Sequence, residues 1–258
     1  MRRIIILLIV LPLSALIAQT GLNREPLFKK GISAYANEDY AKAQMIFHQL
    51  EQDGVSWELY YNLGNAYYRD GKRGYAIQYW EKAKLLAPAQ RDIRHNLSVA
   101  QQELIDKVVL PDMFPLFRWY LNMQEHLPLH LPVMISGILL VFLTLTIGYA
   151  RIKKRKEGIY PKKGVVSISV ILFSLILVLH LITLDTGLKR QKEKYAIILD
   201  RSVNVLSGPL QDSSVLFVLH EGSKVRINKE IEDKWANISY FDDKIGWVNL
   251  KSLGKIQP

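Results

Sequence analysis

Histidine and the acidic residues are the side chains of this chain that could hold a metal ion or move a proton. The histidines are His48, His95, His126, His130, His180 and His220. His126 and His130 have the four-residue spacing that puts two ligands on one helical face, but Pro128 between them disfavours a continuous helix. The pair Asp242–Asp243 is more typical of a hairpin turn than of an acid/base pair. We therefore expect no metal site.

Motifs of the common enzyme classes are also missing from the sequence. It contains no G-x-S-x-G, no H-E-x-x-H and no P-loop. It has no cysteine, which excludes disulfides, thiolate metal sites, a cysteine nucleophile and a lipid anchor on cysteine. The sequence thus predicts a protein that is not an enzyme and needs no cofactor.

Amides and aromatic rings at helical spacing offer binding chemistry instead. Asn62 and Asn65 are residues of the kind that clamps a peptide backbone or a terminal carboxylate, and Arg94 and His95 would add charge from a following helix. For any single one of these residues, an ordinary solvated position is the alternative. The candidate partner-binding residues are Glu58, Tyr61, Asn62, Asn65, Tyr68, Arg94 and His95.

The segment that must position these side chains has a repeat signature over residues 60–88. Its small residues would let two helices pack closely, and a proline would end the second helix. The pattern resembles the tetratricopeptide repeat, a pair of antiparallel helices. Its residues are Tyr60, Leu63, Gly64, Tyr67, Ala76, Trp80 and Pro88.

A shift of 33 residues reveals a second, weaker copy of this pattern. Gly31, Ala43 and Phe47 then match Gly64, Ala76 and Trp80. Helical spacing of Ile93, Leu97 and Ala100 predicts a closing helix. We expect an all-α tetratricopeptide repeat unit over residues 19–108 that binds a protein partner on its concave surface.

Three hydrophobic segments predict contact with a membrane. Residues 1–18 have the anatomy of a signal peptide, with an uncleaved anchor helix as the alternative. Residues 131–150 and 165–184 each run for twenty residues without a charge. At about 1.5 Å per residue, such a helix spans roughly 30 Å, the hydrocarbon thickness of a bilayer. The aromatic linker 109–130 would lie on the outer leaflet or dock on the repeats.

The basic residues fix the expected orientation. The net charge is +10, yet residues 19–110 and 195–258 are nearly neutral, which argues against nucleic-acid binding. The excess lies largely in the loop 151–164, and short basic loops stay in the cytoplasm. Both flanking regions would then face the periplasm from the inner membrane. The topology-determining residues are Arg151, Lys153, Lys154, Arg155, Lys156, Lys162 and Lys163.

The C-terminal region, residues 195–258, follows a short linker at 185–194 and has the alternation of five or six short strands. It resembles a bacterial SH3-like domain, a small all-β barrel, although Leu206 stands where that family often has arginine. Its residues of resemblance are Val203, Asn204, Val205, Ser207, Gly208, Pro209, Gly222, Val225, Trp235, Gly246, Trp247 and Val248. Trp235, Tyr240 and Trp247 are candidate groove residues; the alternative is that both tryptophans belong to the core.

The order of these segments predicts a multidomain membrane protein. The order of signal sequence, repeats, two-span hairpin and SH3-like domain resembles the BatE-type proteins of bacterial aerotolerance operons. This resemblance implies membrane partners with von Willebrand A domains and a MoxR-type ATPase, in tolerance of oxygen or envelope stress. Two functions follow as hypotheses: a membrane-anchored scaffold that binds partners through its repeats, or a cell-wall sensor whose SH3-like domain binds peptidoglycan peptide.

Overall fold

The computed structural model describes residues 24–107, 114–126, 128, 130–158, 163–192, 194–241 and 244–257. The predicted signal peptide (1–18), Lys162 and the pair Asp242–Asp243 lie outside the described residues. The described residues form two compact units. One unit combines those up to residue 107 with those from residue 194 onward, and the other spans residues 114 to 192.

Five helices build the N-terminal part of the first unit. Their limits follow local signals: Asp39 accepts a hydrogen bond from the backbone of Lys42 before α2, and Ser56 accepts one from Leu59 before α3. The fourth helix ends just before Pro88, as predicted. The helices are α1 (24–36), α2 (Tyr40–Gln52), α3 (Trp57–Arg69), α4 (Arg73–Leu86) and α5 (Arg91–Gln102).

Two helical hairpins repeat the same packing. A Cβ at Gly31 would lie closer than 3.0 Å to the ring of Phe47, and a Cβ at Gly64 would lie equally close to the indole of Trp80. Each ring therefore fills the space that a glycine leaves on the preceding helix. The predicted helical repeats are present, and α5 closes the array by burying Ile93.

The C-terminal part of the first unit is a seven-stranded antiparallel sheet with the order β3-β2-β6-β5-β4-β1-β7. The order ends on β3 and β7, so the sheet is open, and the expected barrel is present only as a small all-β sheet. It has seven strands because a short strand after the turn at Leu250–Ser252 pairs with β1. The strands are β1 (Lys194–Ile198), β2 (Ser202–Leu206), β3 (Val215–His220), β4 (Lys224–Ile231), β5 (Trp235–Tyr240), β6 (Lys244–Asn249) and β7 (Leu253–Lys255).

The helices and the sheet pack together in one compact unit, although the sequence predicts two separate domains. Helix α4 packs on β1 and β7, and Ile197 and Ile256 join the buried cluster of the helices. At Gly222, φ is +89° and a Cβ would lie closer than 3.0 Å to Leu104 and Ile77. Glycine at this position permits both the left-handed backbone and the close approach of the helices.

The second unit contains α6 (Pro115–His126), α7 (His130–Glu157) and α8 (Lys163–Lys192). The spans His130–Lys156 and Gly164–Leu188 are long and apolar enough to cross a membrane. Helix α7 continues beyond the predicted 131–150 because Lys and Arg are good helix formers. The basic residues up to Lys156 are therefore helical, and α8 likewise extends over most of the predicted linker 185–194.

Helix α6 is separate from α7, so His126 and His130 do not share a helix, as Pro128 predicted. Within this unit α6 is tied to α8 through one carboxylate oxygen. Oδ2 of Asp185 accepts from the hydroxyl of Tyr120 at 2.8 Å and from Nε2 of Gln124 at 2.6 Å. The rest of α6 exposes large apolar side chains, namely Leu116, Phe117 and Trp119.

Candidate functional site

A groove of about 280 Å³ lies among α1, α3, α4 and α5. Four of the predicted partner-binding residues line it: Tyr61, Asn65, Tyr68 and His95. The repeat packing positions them, because the buried residues of α3, such as Leu63 and Tyr67, turn the opposite face of that helix toward the groove. The remaining lining residues are Tyr35, Arg69, Trp80, Asn96 and Val99.

Asn65 is the centre of a hydrogen-bond network in this groove. Its Oδ1 accepts from Nε1 of Trp80 at 3.0 Å and from Nδ2 of Asn96 at 3.0 Å. The indole N–H can only donate, so it fixes which end of the Asn65 amide faces inward. Within the described part of the chain, nothing accepts from Nδ2 of Asn65. Two donors at this position thus stay available to a ligand carbonyl.

Asn96 extends the network and was not among the predicted site residues. Its Nδ2 also reaches the hydroxyl of Tyr61 at 3.5 Å, and its Oδ1 has no donor in the described residues. An acceptor and the free Asn65 donors therefore stand side by side, the pattern that a peptide group requires. The one feature of the sequence that points to Asn96 is its position on α5, next to the buried residues Ile93, Leu97 and Ala100.

The groove has basic and neutral lining groups but no carboxylate among the residues that line it. Burial raises the pKa of Tyr35, and the nearby Arg69 opposes this only in part. Burial and a hydrogen bond to Glu103 raise the pKa of Tyr68 as well. Both hydroxyls therefore stay protonated near neutral pH. The groove suits a ligand that is neutral or negatively charged.

Three predicted residues do not line the groove. Asn62 donates from Nδ2 to the carbonyl of Glu58 on its own helix at 2.7 Å. Arg94 donates from Nη1 to the carbonyl of Pro88 at 3.3 Å, which fastens the turn before α5. Glu58 is exposed. Helical spacing does not reveal that Asn62 and Arg94 bind backbone carbonyls of their own chain, because these hydrogen bonds depend on the local backbone geometry.

The candidate groove residues of the sheet are not on one face. Along β5, Trp235 and Tyr240 are five positions apart and point to opposite sides. Tyr240 belongs to the core cluster of the sheet, whereas Trp247 lies opposite Asn237 on the other face. Trp235 is buried and Trp247 is half-buried. The three aromatics therefore do not form a single groove.

A second polar cluster joins the segment after α5 to the sheet. Oδ2 of Asp106 accepts from the backbone N–H of His220 and from Oγ of Ser223, each at 2.6 Å. Its Oδ1 accepts from Nδ1 of His220 at 3.0 Å. Burial would raise the pKa of Asp106, but the hydrogen bonds from Ser223 and His220 outweigh it and hold the pKa below its usual range. Asp106 is thus an ionised carboxylate that binds the segment after α5 to the sheet.

An ion pair between a buried carboxylate and an exposed lysine lies at the same junction. Glu81 on α4 is 5% exposed, and its Oε2 accepts from Nζ of Lys224 on β4 at 2.9 Å. Nearby, the backbone N–H of Gly74 donates to Oε1 of Glu221 at 2.7 Å. These contacts hold helices and sheet in one arrangement, so they serve structure and leave no reactive group free.

Among the residues that the structure describes, no group of three or more His, Asp or Glu side chains could hold a metal ion. No family model matches the chain. No curated protein matches it significantly.

Proposed function

We propose that this protein is a non-catalytic, membrane-anchored adaptor whose helical repeats bind a segment of a protein partner. The observation that carries the proposal is the groove in which free Asn65 donors and the Asn96 acceptor stand beside four aromatic rings. Amides of this kind pair with a peptide backbone, and the rings cover its side chains. Two apolar helices would hold the adaptor beside other membrane proteins.

The resemblance to BatE-type proteins suggests the class of partner. In that family the partners are membrane proteins with von Willebrand A domains. A role in an envelope-stress or aerotolerance complex rests on this resemblance alone. The alternative function, a cell-wall sensor whose SH3-like domain binds peptidoglycan peptide, has less support because Trp235 and Trp247 lie on the opposite face of the sheet from Tyr240.

Photocrosslinking tests the groove directly. A photoreactive amino acid at Val99, which lines the groove, is expected to crosslink one specific polypeptide in native membranes. The same probe at Gln49, exposed on α2 outside the groove, should not capture it. Adding His95→Ala to the Val99 probe should reduce the yield severalfold, since His95 is exposed in the groove and makes no hydrogen bond or ion pair with the described residues.

Identical captures from Val99 and Gln49 would rule out the groove as the binding site. So would a yield that His95→Ala leaves unchanged, provided that thermal unfolding of the variant matches the unaltered protein. Asn65 is a poor choice for this test because its removal would release Trp80 from its hydrogen bond and disturb the repeat.

We also place both parts of the first unit on the periplasmic side, with the basic end of α7 in the cytoplasm. The chain has no cysteine, so single cysteines can be introduced without a background. In intact spheroplasts, Ser33→Cys and Asp212→Cys should react with a membrane-impermeant maleimide, and Lys154→Cys should react only after lysis. Labelling of Lys154→Cys before lysis would overturn the orientation.

A further inference from the structure

A larger cavity, about 930 Å³, lies within the first unit between the end of α5 and the sheet. Its helical wall carries Ser98, Gln101 and Gln102, and Lys107 follows on the next segment. Its volume falls in the range of small-molecule and peptide sites, roughly 300–1,000 Å³. It shares no lining residue with the repeat groove. It is therefore a separate site.

The floor of this cavity is a row of side chains across three strands. Tyr195 on β1 pairs with Arg226 on β4, and Arg226 pairs with Ser239 on β5. Directly opposed residues of antiparallel strands place their side chains next to one another. The neighbours Val225 and Ile227 point into the core of the sheet, so the row faces away from it.

Arg226 is the unusual member of this row. It is half-buried, and in the described part of the chain its guanidinium makes no hydrogen bond, ion pair or cation–π contact. Other charged groups at the cavity have partners within the protein. The carboxylate of Asp106 accepts hydrogen bonds from His220 and Ser223, and Lys224 forms an ion pair with Glu81. Lys107 is also without a partner among the described residues. The positive charges of Arg226 and Lys107 outnumber the single negative charge of Asp106, so the cavity carries a net positive charge.

The surroundings indicate which anion would fit. The last turn of α5 ends at this wall, and the carbonyl end of a helix disfavours a doubly charged phosphate. One guanidinium suits one carboxylate, which it binds with two parallel hydrogen bonds. The amides of Gln101 and Gln102 suit peptide groups. Phe241, 39% exposed with a left-handed backbone at φ 57°, offers an apolar rim.

We propose that this cavity binds a short peptide that carries a carboxylate, with Arg226 as the residue that receives the carboxylate. The side chains of Gln101 and Gln102 bind the peptide groups, and Phe241 contacts an apolar side chain of the ligand. The site combines both halves of the first unit, so neither the helices nor the sheet alone would form it. Binding of a peptide in this cavity does not depend on binding of a partner in the repeat groove, because the two share no lining residue.

Fluorescence anisotropy with defined peptides tests this site on the full chain in detergent. The probes are labelled Ala-Ala-Phe-Gln with a free C-terminus, Ala-Ala-Phe-Glu amide and the neutral Ala-Ala-Phe-Gln amide. At least one acidic probe should bind, and the neutral probe should bind at least tenfold more weakly. Preference for the first or second probe distinguishes a terminal from a side-chain carboxylate.

Three variants test whether Arg226 receives the carboxylate and whether the ligand occupies this cavity. Arg226→Gln should weaken binding roughly 10- to 100-fold, the loss expected for a charge-assisted hydrogen bond. Lys229→Gln removes the same charge from an exposed position on the same strand outside the cavity and should leave binding unchanged. Gln102→Trp should weaken binding by filling the cavity without altering its charge.

Several results would overturn the proposal. These are equal binding of the neutral and acidic probes, equal losses in Arg226→Gln and Lys229→Gln, or no binding of any probe. Displacement of the acidic probes by inorganic phosphate at equal concentration would indicate a simple anion site instead. Because Arg226 makes no hydrogen bond or ion pair within the described chain, Arg226→Gln should keep the thermal unfolding of the unaltered protein.

Discussion

Gly64→Val is expected to lower the free energy of unfolding of the helical repeats by about 3 kcal/mol, the upper end of the range for overpacked cores. A Cβ at this position would already lie too close to the indole of Trp80. Trp80 is almost fully buried and cannot swing away. If it shifts, it also loses the hydrogen bond to Asn65. Stability and partner binding in the groove should fall together.

Chemical denaturation followed by circular dichroism measures this loss. Ala41→Val is the matched control, since it introduces the same branched side chain on an exposed position of α2 and should cost about 0.5 kcal/mol. Gly31→Val should behave like Gly64→Val because Phe47 fills the equivalent space. If Gly64→Val unfolded at the same denaturant concentration as Ala41→Val, the close helix contact would be disproved.

Asp106→Ala is expected to loosen the junction between helices and sheet by about 2–4 kcal/mol. The change removes the acceptor of three hydrogen bonds from His220 and Ser223, and donors left without a partner cost about 1–3 kcal/mol each when buried. Part of this loss of stability is offset, because Asp106 is only partly buried and water can enter to hydrogen-bond the donors left without a partner. Limited proteolysis between residues 103 and 107 should become faster than in the unaltered protein.

The same contact predicts a dependence on pH. The pKa of Asp106 is lowered in the folded protein. Its stabilising contribution is therefore complete above the unfolded value, near 3.9, and is lost as the pH falls through the lower folded value. The difference in unfolding free energy between the unaltered protein and Asp106→Ala should be full at pH 6 and should shrink below about pH 4.

Asp212→Ala controls for the loss of a negative charge. Asp212 is exposed, and no hydrogen bond or ion pair holds its carboxylate in the described residues. Its replacement should change neither proteolysis nor the pH profile. A stability difference between Asp106→Ala and the unaltered protein that stayed constant from pH 6 to pH 2 would show that the ionised carboxylate is not what holds the junction.

Much of the helical part could be predicted from the sequence because its signals are local. The glycine, alanine and aromatic residues that recur after 33 positions are the residues that pack the hairpins, and Pro88 ends α4. Twenty uncharged residues in a row likewise identify an apolar helix. The ends of α7 and α8 were missed because hydrophobicity marks where a helix is apolar and not where it stops.

The candidate sites were predicted less completely because they depend on contacts between distant residues. Tyr61 and Asn65 were found from helical spacing, but Asn96 is 31 residues from its partner Asn65. The cavity at Arg226 could not be predicted, since even Lys107 and Tyr195, which line it from the helical side and from the sheet, are 88 residues apart in the sequence. The union of helices and sheet was hidden for the same reason: Asp106 and His220 carry no local pattern that pairs them.

The first unit is built from two distant stretches of chain, so it cannot finish folding until the second stretch has been synthesised. During synthesis residues 24–107 are made before the strands of the sheet. Ile77 and Leu104 therefore stay uncovered until the segment around Gly222 has been made and packs against them. Ile256, which follows β7, completes the buried cluster of the helices. A truncated product that lacks the final strands of the sheet would leave uncovered the part of α4 that packs on β7. Exposed surface of this kind is what chaperones and proteases recognise in an incompletely folded protein.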